Sequence, residues 1–158
     1  MPKKRESEEW ISQCVEVLKF NIDGSARDKP GPAGIGGVLR DHKGKVCYSF
    51  SFFIGIQDSN TAELMAIEKA CILIVTNPSL KGLTIDIVSD SKTAVLWINS
   101  EGHGSFKHVN TVYDIHEFIR NHSAITITFS SRASNSFADN LAKRGSKKDG
   151  DFLHWVID

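Results

Sequence analysis

The sequence predicts one α/β domain with a mixed sheet covered by helices. Three observations carry that expectation. From Val17 to Phe53, apolar and polar residues alternate in three stretches joined by turn signals. The period then changes, and Leu64, Ile67, Cys71, Ile74 and Val75 recur at three and four residues. Beyond them, strand-like and helix-like stretches alternate, which implies helical crossovers between strands of one sheet. The 158 residues are enough for a single hydrophobic core.

Strand one runs from about Val17 to Asp23, with Phe20 and Ile22 set against Lys19 and Asn21. Arg27-Asp28-Lys29-Pro30-Gly31-Pro32 reads as a surface loop by its Pro and Gly content. Ile35 to Arg40 is strand two, and Asp41-His42-Lys43-Gly44 is a hairpin turn. In strand three, Val46, Tyr48, Phe50 and Phe52 alternate with Cys47, Ser49, Ser51 and Phe53. Helix one starts near Ser59 or Asn60 and stops before Asn77-Pro78. Strand four covers Leu83 to Asp90, and helix two covers Thr93 to Asn99. Gly102-His103-Gly104-Ser105 breaks that helix. Val109, Val112, Ile115, Phe118 and Ile119 mark helix three, and Ile125 to Phe129 alternates as strand five. Phe137, Ala138, Leu141 and Ala142 mark a last helix ending at Gly145. Residues 1–12 are a charged tail, 13–148 the domain and 149–158 a second tail. In the first tail, Pro2-Lys3-Lys4-Arg5 reads as a solvated run or a nuclear import patch.

Composition excludes several classes of function. Lys plus Arg equals Asp plus Glu at 19 each, so attraction to nucleic acid must be local. The longest apolar run, Cys71 to Val75, is too short to span a bilayer. The charged start lacks the apolar run of a signal peptide. Cys14, Cys47 and Cys71 have no CxxC spacing, which fits reduced thiols in an intracellular protein, in nucleus or cytoplasm. Gly34, Gly36 and Gly37 precede no helix and so form no dinucleotide fingerprint. They point to tight packing or a close backbone approach.

Four acids stand at the ends of elements. Asp23 ends strand one and Asp90 ends strand four; Glu63 and Asp139 lie in the first turns of helix one and the last helix. Strands one and four would be parallel neighbours at the switch in strand order, where ligands bind in open α/β sheets. Each acid also has a structural explanation. Asn60-x-x-Glu63 and Ser136-x-x-Asp139 resemble capping boxes, and Asp90 is placed as an N-cap for helix two. Four caps meeting at one edge would repel one another unless a cation holds them. Oxygen ligands without a Cys or His cluster suit Mg²⁺ or Mn²⁺. Two such ions suit in-line attack of water on a phosphodiester.

Ile22-Asp23-Gly24-Ser25, Asn60-Thr61-Ala62-Glu63-Leu64-Met65-Ala66, Ser89-Asp90-Ser91 and Asn135-Ser136-Phe137-Ala138-Asp139-Asn140-Leu141-Ala142 resemble the four signature blocks of RNase H. The resemblance spans about Trp10 to Lys148. With Trp10 upstream and Ser131-Arg132 before Asn135, it is similar to plant RNase H-like domains related to the RNase H regions of non-LTR retrotransposons. It implies a five-stranded mixed sheet ordered 3-2-1-4-5, with strand two antiparallel. It implies cleavage of the RNA strand of RNA–DNA hybrids by two-metal-ion catalysis. Asp23, Glu63, Asp90 and Asp139 would be catalytic metal ligands for two Mg²⁺ ions, with Mn²⁺ as a substitute. Asn60 and Ser91 would contact the hybrid minor groove, where a 2′-OH distinguishes RNA from DNA. Gly24, Ser25 and Asn135 would be further substrate-binding residues. The expected partner is the hybrid, with no membrane. The chain would act as a monomer or within a larger reverse-transcriptase polyprotein. A domesticated module that binds nucleic acid without cutting, and a junction resolvase or transposase, are the competing readings. Three departures bear on rate and affinity: no His in the loop from Ser130 to Ser136, no basic handle before helix three, and Lys92 where a Gln follows Asp-Ser in bacterial members.

Overall fold

The computed structural model describes residues 17–100, 106–122, 124–147 and 151–155. Trp10, Cys14, His103 and the import patch lie outside them. The strands are β1 (Val17–Ala26), β2 (Gly31–Arg40), β3 (Val46–Gln57), β4 (Thr84–Ser89), β5 (Ile125–Phe129) and β6 (Phe152–Trp155). The helices are α1 (Ser59–Val75), α2 (Lys92–Asn99), α3 (Val109–Asn121) and α4 (Ser136–Ser146). The sheet order is β5-β4-β1-β2-β3-β6. β1 runs antiparallel to β2 and parallel to β4, and β4 runs parallel to β5. The 3-2-1-4-5 core is therefore as expected.

A sixth strand is added to it. β6 pairs antiparallel with β3, from Ser51↔Phe152 to Tyr48↔Trp155. It covers backbone groups that an edge strand would leave open. The sequence reading places these residues in a tail, because four residues carry too short an alternation to be told from one. Gly31 and Pro32 also belong to β2 and not to the loop before it, since they pair with Gln57 and Ile56 of β3.

Alternation along β1 sends its two sets of side chains to opposite helices. Phe20 and Ile22 join one core with Phe50, Leu64, Ile67, Ile85, Ile87 and Ile115, all fully buried. Phe20 meets Phe50 edge-on at 5.9 Å between centroids. That face is covered by α1. On the other face Asn21 reaches Asn135 at the start of α4, Nδ2 to Oδ1, at 2.9 Å. α4 lies close to the sheet because β2 is bare there. A Cβ on Gly34 would stand 2.2 Å from Ser146 N and 2.4 Å from Ala142 O. The close approach signalled by Gly34 and Gly36 is thus made by a helix, whereas Gly37 makes room for the Phe50 ring. Gly34→Ala meets the rigid backbone of α4 and is expected to cost about 2 kcal/mol or more, read as a lowered Tm.

The helix caps differ from the expected ones. Asp58 caps α1, its Oδ1 accepting from Thr61 N at 2.7 Å, and Asn60 does not. Ser91 caps α2, its Oγ accepting from Ala94 N at 3.1 Å, and Asp90 does not. No side chain caps α4. Glu63, Asp90 and Asp139 are therefore not engaged as helix caps. Among the described residues, no helix is long and apolar enough to cross a membrane.

Candidate active site

Ile22 pairs with Ser89 as the last register position between β1 and β4. Asp23 and Asp90 follow at the C-terminal edge, side by side on parallel strands. β1 has β4 on one side and β2 on the other, which is the switch in strand order where a crevice opens. Glu63 arrives from α1, one turn in from its start. Ligand oxygens of Asp23, Glu63 and Asp90 lie within 4.8 Å of one another. Gly24 holds Glu63 there, its N–H donating to Oε1 at 3.0 Å. Only glycine allows this, because a Cβ on Gly24 would stand 2.3 Å from the Ala62 carbonyl carbon.

Asp139 comes from the first turn of α4 and hydrogen-bonds with the Asp23 carboxyl. Asn135 sets its place: Nδ2 donates to Ile22 O at 2.9 Å, and Oδ1 accepts from Asn21. Ser51 Oγ donates to Leu141 O at 2.7 Å and pins the next turn. Two cations flank the cluster. Lys143 Nζ lies 3.0 Å from Asp139 Oδ2, and Arg132 Nε lies 3.8 Å from Asp90 Oδ2. The side chain of Arg132 is 87% exposed, whereas that of Asp90 is 4% exposed.

Crowding of like charges sets the electrostatics. Burial first, then the charge of Glu63, the bond to Asp139 and the charge of Asp90 push the Asp23 carboxyl up to about 10. Burial, with Asp90 adding to it, pushes Glu63 up to about 7, against the opposing bonds from Asp23 and Gly24 N–H. Burial also resists ionisation of Asp139. The bond with Asp23, Lys143 and Arg132 outweigh it, and its pKa falls below the ordinary carboxylate value. A compact set of hard oxygen donors, crowded enough to raise the pKa of Asp23 and Glu63, fits a hard divalent cation such as Mg²⁺ or Mn²⁺.

The other sequence-derived residues divide in two. Asn60 is exposed in the first turn of α1, Ser91 starts α2 beside Asp90, and Ser25 lies half-buried on β1 two residues past Asp23. These three border the cluster. Gly24 and Asn135 have a structural role at the cluster. The N–H of Gly24 is turned to Glu63, and Asn135 is 1% exposed with its amide bonded to β1. Both position the acids. Arg132 and Lys143 were not expected at the site. The i,i+4 spacing of Asp139 and Lys143 is a readable signal; Arg132 sits in a short 3₁₀ turn and has none. A cavity of about 640 Å³ lies at the opposite pole, between the end of α1 and the starts of β4 and β5, and holds none of these residues.

Comparison with known proteins agrees with this geometry. The family described as "Reverse transcriptase-like" matches residues 21–145. A candidate ribonuclease H protein of Arabidopsis thaliana is 32% identical over 133 residues, covering 84% of this chain and 21% of that protein. The chain thus spans about a fifth of the length of that curated relative. LC11-RNase H1, isolated from compost by a metagenomic approach, superposes with a TM-score of 0.77 at 26% identity, covering 84% of this chain and 97% of that one. The same enzyme in complex with an RNA/DNA hybrid gives a TM-score of 0.73 at 25% identity, over 83% of this chain and 97% of that one. RNase H1 from the halophilic archaeon Halobacterium salinarum shares the fold, with a TM-score of 0.74 at 24% identity over 83% of this chain and 98% of that one.

Proposed function

Because the chain belongs to the reverse transcriptase-like family, with the RNase H fold, we propose that it is an endoribonuclease that hydrolyses the RNA strand of RNA–DNA hybrids. One observation carries the reading: carboxylates from β1, α1 and β4 converge within 4.8 Å at the switch-point edge, none of them engaged as a helix cap. Asp23, Glu63, Asp90 and Asp139 would hold two Mg²⁺ ions, or Mn²⁺. When bound, these supply positive charge at the phosphoryl oxygens and lower the pKa of water. The chain does the rest. Gly24 and Asn135 hold Glu63 and α4 in place. Arg132 brings a cation beside Asp90, at the edge where a phosphodiester would lie. Asn60, Ser25 and Ser91 offer small polar groups to the minor groove, suited to recognising a 2′-OH. Hydrolysis leaves 5′-phosphate and 3′-hydroxyl ends. Such a substrate goes with an intracellular setting, nucleus or cytoplasm, and with action as a monomer or as part of a longer reverse-transcriptase protein.

The second reading is a module that binds hybrid and cuts weakly or not at all. The pairing of Asp139 with Lys143 favours it, since the ammonium competes with a cation there. One assay separates the two. RNA–DNA hybrid, duplex DNA and junction DNA are offered with Mg²⁺, with and without chelator. The expected result is cleavage of hybrid alone, lost in chelator; binding without cleavage supports the module. Among the described residues, Lys107, Arg132 and Lys143 are cations near the edge. Hybrid affinity should fall with salt at a log–log slope of about −2 to −3. A slope near zero would point to an apolar or base-reading surface instead.

A further inference from the structure

The pole opposite the carboxylates carries an open apolar hollow. This cavity of about 640 Å³ is lined by Ile74, Val75, Leu80, Leu83, Ala124 and Ile125. Its floor belongs to the main core, with Ile74, Leu80 and Ile125 each 5% exposed or less, whereas Leu83 is 37% exposed. Packed interiors leave few voids larger than a water molecule, so an apolar hollow open at the end of a core has room for a cover. Exposed Lys81 lines the rim, and among the described residues no acid does. β1 enters the fold at this pole. Val17 is in register with Thr84, the residue after Leu83, and Ile85 is in register with Ile125. Neighbouring strands lie about 4.8 Å apart, so the backbone arriving at Val17 is one strand from Leu83 and two, about 10 Å, from Ile125. Leu18 shares the α1 face with Phe20 and Ile22 and packs on the same core. The residues before β1 are thus delivered to the mouth of the hollow.

We propose that residues 10–15 of this chain dock in that hollow through an amphipathic helical face, with Trp10 as the anchor. The proposal goes beyond the nuclease reading and does not depend on it. Trp10, Ile11, Cys14 and Val15 fall on one side of a helix by their spacing. Glu9, Ser12, Gln13 and Glu16 fall on the other side. From Trp10 to Val17 the chain spans about 10 Å as helix and about 23 Å extended, enough to reach the hollow in either form. An aromatic side chain of this size buries roughly 150–250 Å², and the hollow admits it whole. Glu8, Glu9 and Glu16 bring negative charge to a rim that carries Lys81. The short connection to β1 favours the chain's own segment over a separate molecule, because the tether sets a high effective concentration.

The test uses the full chain labelled with 5-fluorotryptophan, the fluorine line of Trp10 being assigned by its loss in Trp10→Phe. In the wild type that line is expected to shift little between H₂O and D₂O, as a buried ring does. Leu83→Glu places a charge in the hollow at a side chain already partly exposed. It should move the Trp10 line to an isotope-sensitive position and leave those of Trp97 and Trp155 in place. Trp10→Ala should lower Tm by about 5–10 °C. In the Leu83→Glu background the same substitution should lower Tm by no more than about a third of that, since the contact is already lost. An isotope-sensitive Trp10 line in the wild type, a line that ignores Leu83→Glu, or additive effects on Tm overturns the proposal. A Trp10 line or a Tm that changes on dilution gives the hollow to a second copy and overturns it too. Should Leu83→Glu fail to fold, Lys81→Glu, at an exposed side chain on the rim, takes its place by the same criteria.

Discussion

Asp90→Asn is expected to lower hybrid cleavage at least a hundredfold while the protein stays folded and still binds hybrid. The Asp90 side chain is 4% exposed at the end of β4, and its ligand oxygen lies within 4.8 Å of those of Asp23 and Glu63. Asn keeps the shape and removes the charge that would hold a cation. The fold should not suffer, because Ser91 caps α2 and Asp90 does not. Removing one of several crowded negative charges should leave Tm unchanged or slightly higher. Circular dichroism, a thermal melt and a hybrid-binding titration accompany the rate. Cleavage by the variant above a tenth of the wild-type rate would show that Asp90 is misassigned.

Without divalent cation, the protein is expected to lose stability as pH rises from about 5 to 8. Asp23 and Glu63 have folded-state pKa values above their ordinary 3.8 and 4.5, at about 10 and about 7. A group raised in this way contributes stability fully present below its unfolded pKa and lost as pH rises through its folded pKa. For Glu63 the loss runs from 4.5 to about 7, and for Asp23 it continues to about 10. Asp139 has a lowered pKa and acts in the opposite sense, losing its contribution only as pH falls below its ordinary value. A tenfold change in a carboxylate's proton affinity on folding corresponds to about 1.4 kcal/mol before relaxation and screening. A realised loss of roughly 2–4 kcal/mol between pH 5 and 8 lowers Tm by about 5–10 °C. Millimolar Mg²⁺ should restore Tm more at pH 8 than at pH 5. Asp23→Asn should flatten the curve and raise Tm in chelator at pH 8, even as it abolishes cleavage. A melting temperature in chelator that is level from pH 5 to 8 would mean the carboxylates are not crowded in solution.

Both expectations begin from acids that the sequence makes visible. Asp23 and Asp90 close alternating strands, and Glu63 and Asp139 sit near helix starts, so their place at element ends follows from local periodicity. The three-strand meander and the shift to helical period at Leu64 are legible for the same reason: they depend on residues within a few positions of one another; the strand order follows only from the resemblance to RNase H. The caps show where such local reading stops. Asn60-x-x-Glu63 and Asp90 are both acceptable caps by spacing, and Asp58 and Ser91 take those roles. The difference lies in where each chain segment enters its helix, which packing decides.

What only the tertiary structure decided are partners far apart in the chain. Gly24 N–H meets Glu63 39 residues away, and Asn135 meets the Ile22 carbonyl 113 residues away. No spacing rule reaches that far, so the bracing of the acids by Gly24 and Asn135 is visible only in the fold. The approach of α4 to Gly34, the guanidinium beside Asp90 and the pairing of β6 with β3 belong to the same class. The sequence by itself determined which side chains could do chemistry and on which ends of which elements they stand, because element type and face follow from a short-range repeat. Their protonation was decided by the fold alone, because it depends on how many carboxylates share one buried edge and on which N–H groups and cations the packing brings to them.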